Sequence, residues 1–211
     1  MASSRRGTAS GTASGTGSNT GSGTASDILD AAERLVQSRG FNGFSYADVS
    51  SELGITKAAL HYHFAGKAEL GESLITRYNE RFDAALAVIE AQELSAPEKL
   101  MVYCDLYRGT LRGQRMCLCG MLAAEYNTLG EPMRQAIGSF FDHNSDWLAA
   151  VLESGRKAGT LGFQGPPDQA AKTIIAALEG AMLVARPYND TAVLDVVIDR
   201  LLVEFSLRQP A

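Results

Sequence analysis

The chain has 211 residues, of which 45% are hydrophobic, and its 24 acidic and 19 basic residues give a net charge of −5. This length and apolar content suffice to bury one good core or two small ones, and no apolar run is long enough to span a membrane. The acidic balance argues against nucleic-acid binding through overall charge, so any DNA contact must depend on local positive charge. Three cysteines in an otherwise ordinary composition are typical of reduced thiols in a cytoplasmic protein.

The first segment, residues 1–25, consists almost entirely of Gly, Ser, Thr and Ala. It has too little apolar surface to offset the entropy lost on ordering, so we expect it to be disordered. Arg5 and Arg6 are its charged side chains. The segment is either a natural arm whose arginines enter a minor groove or an extension without a role in function.

Residues 44–64 have the pattern of two short helices joined by a tight turn. Ser45 followed by Asp48 forms a capping box that predicts the start of a helix over residues 46–53. Gly54 can adopt the left-handed conformation that ends this helix. The sequence therefore predicts a helix-turn-helix.

The second helix of this motif is predicted over residues 57–64, with Thr56 as its N-cap. Leu60 and Phe64 are four residues apart and share the buried face. The outward side chains are Ala58, Ala59, His61 and Tyr62, with Lys57 and His63 on the flanks.

The outward side chains suit a DNA groove. The two alanines allow close approach to thymine methyl groups, and Lys57 can reach a guanine edge or a phosphate. His61, Tyr62 and His63 can donate hydrogen bonds to phosphates or base edges, and Thr56 lies at a helix N-terminus, where phosphates bind. The alternative is an ordinary helical hairpin whose histidines are simply solvated.

The motif and its flanks resemble the tetracycline repressor (TetR/AcrR) family over roughly residues 27–75. The resemblance rests on Ile28–Leu35, Gly40-Phe41, Ser45–Val49, Leu53–Lys57 and Leu60–Leu70. It implies an all-helical homodimer that binds a near-palindromic double-stranded DNA operator and releases it when a small ligand binds the C-terminal domain. The DNA-facing residues it implies are Ser45, Thr56, Lys57, Ala58, Ala59, His61, Tyr62, His63 and Lys67, and Tyr46 is a further DNA-binding candidate. Family members usually have Tyr at the position of His61 and often at that of His63, and the histidines keep a hydrogen-bond donor but are smaller and can titrate.

This resemblance divides the chain into a disordered arm (1–25), a helix-turn-helix domain (26–72) and a helical ligand-binding and dimerisation domain (73–211). Apolar spacing and caps predict helices over residues 67–94, 97–112, 118–128, 131–158, 167–185 and 190–207. The last two carry wide apolar stripes, which indicate burial on more than one side. The resemblance implies that they pair with their copies in the homodimer, and the alternative is an intramolecular core.

A pocket for the effector, whose identity the sequence does not indicate, is predicted between residues 101 and 147. Such pockets are mostly apolar with a few polar anchors, for which Glu125, His143 and Asn144 are the candidates. Core packing is the alternative for each candidate residue. The predicted ligand-binding residues are Met101, Cys104, Tyr107, Cys117, Met121, Glu125, Phe140, His143, Asn144 and Trp147.

The cysteines suggest a second regulatory hypothesis. Cys117 and Cys119 point about 200° apart on a helix, so they cannot chelate one metal together. A thiol that senses oxidants or electrophiles requires a depressed pKa and access to solvent, and the neighbouring arginines Arg112 and Arg115 can help to lower the pKa.

An enzyme is not expected. The chain contains no glycine-rich phosphate loop after a strand and no nucleophile elbow, and Asp142, His143 and Asp146 are better explained as a solvated helix surface than as a metal site. We expect no metal and no cofactor. The sequence favours a ligand-responsive repressor, with a cysteine-based sensor or a helical interaction protein without DNA binding as the alternatives.

Overall fold

A computed structural model describes the backbone of residues 20–206 and the side chains of residues 23–206. Within this range the fold is all-α, as predicted. The helices are α1 (Thr20–Arg39), α2 (Tyr46–Leu53), α3 (Lys57–His63), α4 (Lys67–Ala91), α5 (Ala96–Arg112), α6 (Leu118–Ala124), α7 (Glu131–Lys157), α8 (Pro167–Ala185) and α9 (Ala192–Phe205). Single 3-10 turns occupy Tyr126–Thr128 and Arg186–Tyr188.

Helix α1 begins earlier than the sequence suggested. Residues 20–25, which were expected to be disordered, form its first turns. Glycine, serine and threonine are weak helix formers, but they continue a helix whose following turns are fixed by tertiary packing. The buried residues of those turns are Ile28, Ala31, Ala32, Leu35 and Val36. The expectation for residues 1–19, including the arginines, lies outside the described residues.

Helix α4 is continuous across the domain boundary expected between residues 72 and 73. Its first half buries Leu70 and Leu74 near the helix-turn-helix, and its second half buries Leu86 and Ile89 within the C-terminal helices. A rigid helix with both ends packed transmits displacement from one end to the other. This helix is therefore the physical link between the two parts of the chain.

Most predicted helix boundaries are correct to within a few residues, and α6 is the main exception. It ends at Ala124 rather than at residue 128, because the Glu125 N–H turns to the carbonyl of Leu122 and a 3-10 turn follows. In the C-terminal region α7 packs against α4, α5 and α8, and α9 packs against α5 and α8.

Helices α8 and α9 each carry a second apolar face that no described residue covers. Leu183 and Val184 on α8 are 50% and 56% exposed, and Val196 and Val203 on α9 are 63% and 64% exposed. Gly180, on the same face of α8, has open space where a side chain would be. None of the helices in the described range is long and apolar enough to cross a membrane.

Candidate nucleic-acid interface and effector cavity

The ends of α2 and α3 are fixed by the caps that the sequence predicted. The Ser45 N–H and hydroxyl both donate to the Asp48 carboxylate, at 2.7 and 2.6 Å, and these bonds lower the pKa of Asp48. Gly54 ends α2 with a φ of +66°, a conformation that glycine adopts without strain. Thr56 caps α3 by accepting a hydrogen bond from the Ala59 N–H at 3.1 Å.

Helix α3 presents a continuous outward face. Tyr62 is 86% exposed, and its ring packs edge-on against His63, with ring centroids 5.2 Å apart. Lys57 and Ala58 are exposed as well, whereas Leu60 is fully buried beneath them. Because the Thr56 cap uses its oxygen as the acceptor, the Thr56 O–H can still donate to a phosphate.

Tyr46 and His61, two of the predicted DNA-facing residues, contact each other. Their rings lie 4.8 Å apart, and the Tyr46 hydroxyl donates to the carbonyl of Phe64 at 3.1 Å. Burial and the nearby charge of Glu69 raise the pKa of Tyr46 to about 12. The His61 ring nitrogen Nδ1 lies 3.1 Å from the Ala65 carbonyl. Both side chains therefore hold the end of α3 in place.

Lys67 does not have the free ammonium group expected of a phosphate clamp. Its Nζ donates to the carbonyl of Phe44 and lies 4.8 and 4.3 Å from the ring centroids of Phe41 and Phe44. Desolvation in this setting lowers the pKa of Lys67. Spacing along the chain does not reveal the two aromatic rings, which attract the ammonium inward, and a phosphate contact by Lys67 stays a prediction.

A cavity of about 170 Å³, here called the central cavity, opens between α4, α5, α6 and α8. Of the predicted ligand-binding residues, Tyr107 and Cys117 line it. The remaining lining residues were not predicted, because most lie on α4, before the region that the sequence indicated. They are Tyr78, Arg81, Phe82, Ala85, Leu106, Thr110 and Met182.

Three predicted pocket residues face away from the central cavity. Met101 is 47% exposed, and the His143 side chain is 66% exposed beside Asp83, with Nε2 and Oδ1 3.3 Å apart. Glu125 accepts hydrogen bonds from the backbone N–H and side-chain amide of Asn42, at 3.0 and 3.3 Å. Helix phase directs Met101 to solvent, and the α1–α2 loop contacts Glu125. His143 lines a second cavity of about 200 Å³ together with Phe140 and Asn144, so the ligand-binding role of these residues stays a prediction.

The other predicted pocket residues are buried in the core or packed partly buried against it: Cys104, Met121, Phe140, Asn144 and Trp147. Asn144 has a role close to the cavity, because its amide donates to the Tyr107 hydroxyl at 3.4 Å and its oxygen accepts from the Tyr103 hydroxyl at 2.8 Å. Asn144 therefore orients a tyrosine that lines the cavity.

The three cysteines are buried free thiols. Burial raises the pKa of Cys104 to about 12 and raises the pKa values of Cys117 and Cys119 as well. This is the opposite of the depressed pKa and open access that an oxidant or electrophile sensor requires. Within residues 23–206, no group of three His, Cys, Asp or Glu side chains is arranged to hold a metal.

Glu179 is the functional candidate that sequence reasoning missed. Its carboxylate accepts a hydrogen bond from the Cys117 thiol, while its other oxygen, Oε1, is buried without a partner. Desolvation raises the pKa of Glu179 to about 7. The available signal was that Glu179 is the one charged residue in the apolar segment 173–185.

A charged network connects the central cavity to α1. Arg81, on the cavity wall, and Arg77, one turn earlier, both pair with the carboxylate of Glu33, which is only 5% exposed. Arg77 also pairs with Asp30 at 2.8 Å. The wall of the cavity and the first helix of the helix-turn-helix domain therefore share one buried carboxylate.

Two family models match this chain. The model described as "Bacterial regulatory proteins, tetR family" matches residues 28–74, and "Tetracyclin repressor-like, C-terminal domain" matches residues 96–201. These ranges contain the helix-turn-helix and the helices around the central cavity.

Similar proteins match along most of the chain. A TetR-family transcriptional regulator from Agrobacterium tumefaciens is 33% identical, with a TM-score of 0.86 over 89% of this chain and 100% of that one. A TetR transcriptional regulator from Legionella pneumophila is 31% identical, with a TM-score of 0.79 over 90% of this chain and 98% of that one. The HTH-type transcriptional repressor DhaR of Mycobacterium sp. (strain GP1) is 22% identical over 180 residues, which are 83% of this chain and 90% of that protein.

Proposed function

Because the chain belongs to the TetR family of helix-turn-helix transcription regulators and is not an enzyme, we propose that it is a ligand-released homodimeric repressor. In this proposal α3 binds the major groove of a near-palindromic operator. A small molecule in the central cavity then lowers the affinity for DNA. Since its target is chromosomal DNA, it acts in the cytoplasm of the bacterial cell.

The observation that carries the DNA-binding role is the outward face of α3. Tyr62 is 86% exposed, so packing in the core does not explain why this position carries a large aromatic ring. Beside it, Lys57 makes no ion pair with a described residue, so its ammonium is available to a phosphate or a guanine edge. Capping by Thr56 and anchoring by Tyr46 orient this face before DNA is bound.

The uncovered apolar faces of α8 and α9 support the homodimer through the last two helices. Four exposed branched side chains and an open glycine form a surface that water solvates poorly. A second copy is the occupant that the operator geometry requires, because two short recognition helices must reach half-sites about 34–36 Å apart. Dimerisation also adds the affinity that one seven-residue helix cannot supply alone.

The link between cavity and DNA runs through α4. A ligand that displaces Arg81 or tilts α4 changes the position of Glu33 and α1, and hence the separation of the two recognition helices. Only one of the two arrangements then fits the operator. The buried thiols with raised pKa values give no support to a cysteine-based sensor.

The proposal is tested by mixing the purified protein with sheared DNA from its source genome and sequencing the retained fragments at two salt concentrations. A repressor enriches a near-palindromic site that persists at the higher salt concentration. If no sequence is enriched even at low salt, the DNA-binding role is wrong and a helical interaction protein becomes the better description.

A further inference from the structure

The carboxylate of Glu179 is only partly satisfied by hydrogen bonds. Its oxygen Oε1 is buried and has no hydrogen-bond partner, whereas the carboxylate otherwise accepts a hydrogen bond from the Cys117 thiol. Gly120 makes room for this group, because a Cβ there would lie 2.3 Å from Oε2. A buried oxygen without a donor is unfavourable, so an unmet acceptor at this position indicates a missing donor.

The carboxylate lies immediately behind the wall of the central cavity. Its hydrogen-bond donor Cys117 lines the cavity, and so does Met182, which is one turn further along α8. The charge of Glu179 also contributes to raising the pKa values of Tyr78 and Tyr107, two further lining residues. The charge of Glu179 therefore acts on the Cys117 end of the cavity from behind the lining side chains.

The charged residue that lines the cavity, Arg81, also favours a cationic ligand over an anionic one. Arg81 is already paired with the carboxylate of Glu33, so the cavity has no unpaired positive charge to offer an anion. The buried polar group that lacks a hydrogen-bond partner is instead an acceptor, the carboxylate oxygen Oε1 of Glu179. Tyr78, Phe82 and Tyr107 also line the space, and the face of an aromatic ring attracts cations.

We propose that the effector is an organic cation, an apolar or aromatic molecule whose protonated amine binds between the cavity tyrosines and donates to Glu179. This deepens the proposed function, on which it rests, by naming the chemical class of the releasing ligand. The ammonium supplies the donor that Oε1 lacks, and the apolar portion occupies the space along Phe82 and Met182.

Three fluorescent probes of one shape and different charge test this inference: 1-naphthylmethylamine, 1-naphthylmethanol and 1-naphthylacetate. Each is titrated into the full-length protein at pH 8 without DNA. We expect the amine to bind at least about tenfold more tightly than the alcohol, as a charge-assisted hydrogen bond requires, and the acetate to bind most weakly. Because DNA is absent, the result does not depend on whether an operator has been found.

Glu179→Gln keeps the size of the side chain and removes its charge. In this variant we expect the preference for the amine to fall to about threefold or less, while the affinity for the alcohol stays unchanged. Glu93→Gln, which neutralises an exposed acid in the loop after α4, is the matched control and should keep the full preference.

Three results would overturn the inference. One is an amine preference that survives in Glu179→Gln, and another is tighter binding of the acetate, which would identify Arg81 as the anchor. The third is no binding of the amine at 1 mM, a weak limit for a specific site. Operator binding by the same preparations separates these outcomes from a failure of the proposed function.

Discussion

The guanidinium of Arg81 lines the central cavity and also pairs with the carboxylate of Glu33 on α1. One side chain therefore contacts both the space where an effector would bind and the helix that supports the DNA-binding motif. Arg77 pairs with the same carboxylate, so Glu33 joins α1 to two successive turns of α4.

Glu33→Gln should destabilise the protein by about 2–3 kcal/mol, because two guanidinium groups lose their shared buried carboxylate. The exposure of half of the Arg81 side chain keeps the loss below that of a fully buried pair. Urea unfolding followed by circular dichroism measures the change. Glu52→Gln removes the exposed partner of Arg34 and should cost no more than about 1 kcal/mol. Equal losses in the two variants would show that the Glu33 network contributes no special stability.

Lys57→Ala and Tyr62→Ala should each weaken operator binding by about tenfold or more without changing the unfolding midpoint. Both side chains are exposed and support no core contact. Lys57→Ala should also reduce the salt dependence by about one phosphate contact. Lys157→Ala removes a lysine that is 74% exposed at the end of α7 and is the control. If both variants of α3 bind like the parent protein, the assignment of the outward face is incorrect.

Val196→Glu should convert the proposed dimer to monomers, because it places a charge on the uncovered face of α9. Sedimentation velocity at micromolar concentration measures the change in mass. Val88→Glu is matched to it, since Val88 on α4 is 59% exposed and Val196 is 63% exposed. The control should remain dimeric. Dissociation in both variants, or in neither, would argue against an interface formed by α8 and α9.

Glu179 should make the protein less stable as the pH rises from about 4.5 to 7. Its folded-state pKa of about 7 exceeds its ordinary value of 4.5, so the folded protein holds a proton that the unfolded chain releases. The neutral carboxyl group is therefore favourable at low pH, and this contribution is lost as the pH rises through 7. The facing titratable groups are tyrosines and cysteines whose raised pKa values keep them neutral in this range: Tyr78, Tyr103, Tyr107, Cys117 and Cys119.

Glu179→Gln removes this titration, so its stability relative to the parent should increase between pH 5 and pH 8. Urea unfolding of both proteins at several pH values measures the difference. A difference that stays constant with pH would mean that Glu179 titrates normally in the folded state.

Local chemistry made the helix-turn-helix predictable from sequence. The Ser45 and Thr56 caps and the turn at Gly54 involve residues within a few positions of one another, and each was found as expected. The ring contacts of Lys67 were not predicted, because the two rings are 23 and 26 residues earlier in the chain. Glu179 was missed because only the folded structure reveals that its carboxylate is buried behind Cys117.

The pocket residues also depend on contacts between parts of the chain that are distant in sequence. A composition rich in aromatic and sulfur side chains gave candidates that line different cavities, Tyr107 and Cys117 the central one and Phe140 another, and it could not show which residues share one space. The contribution of α4 to the cavity depends on how helices pack, and apolar periodicity does not specify that packing.

The most direct measurement of operator recognition by a dimer is a titration of the protein against two duplexes. One carries the near-palindromic site recovered from the genome, and the other carries the same site with one half scrambled. We expect one dimer to bind the intact duplex and the affinity for the scrambled duplex to fall by about 100-fold or more. Equal affinity for the two duplexes would contradict recognition by paired α3 helices.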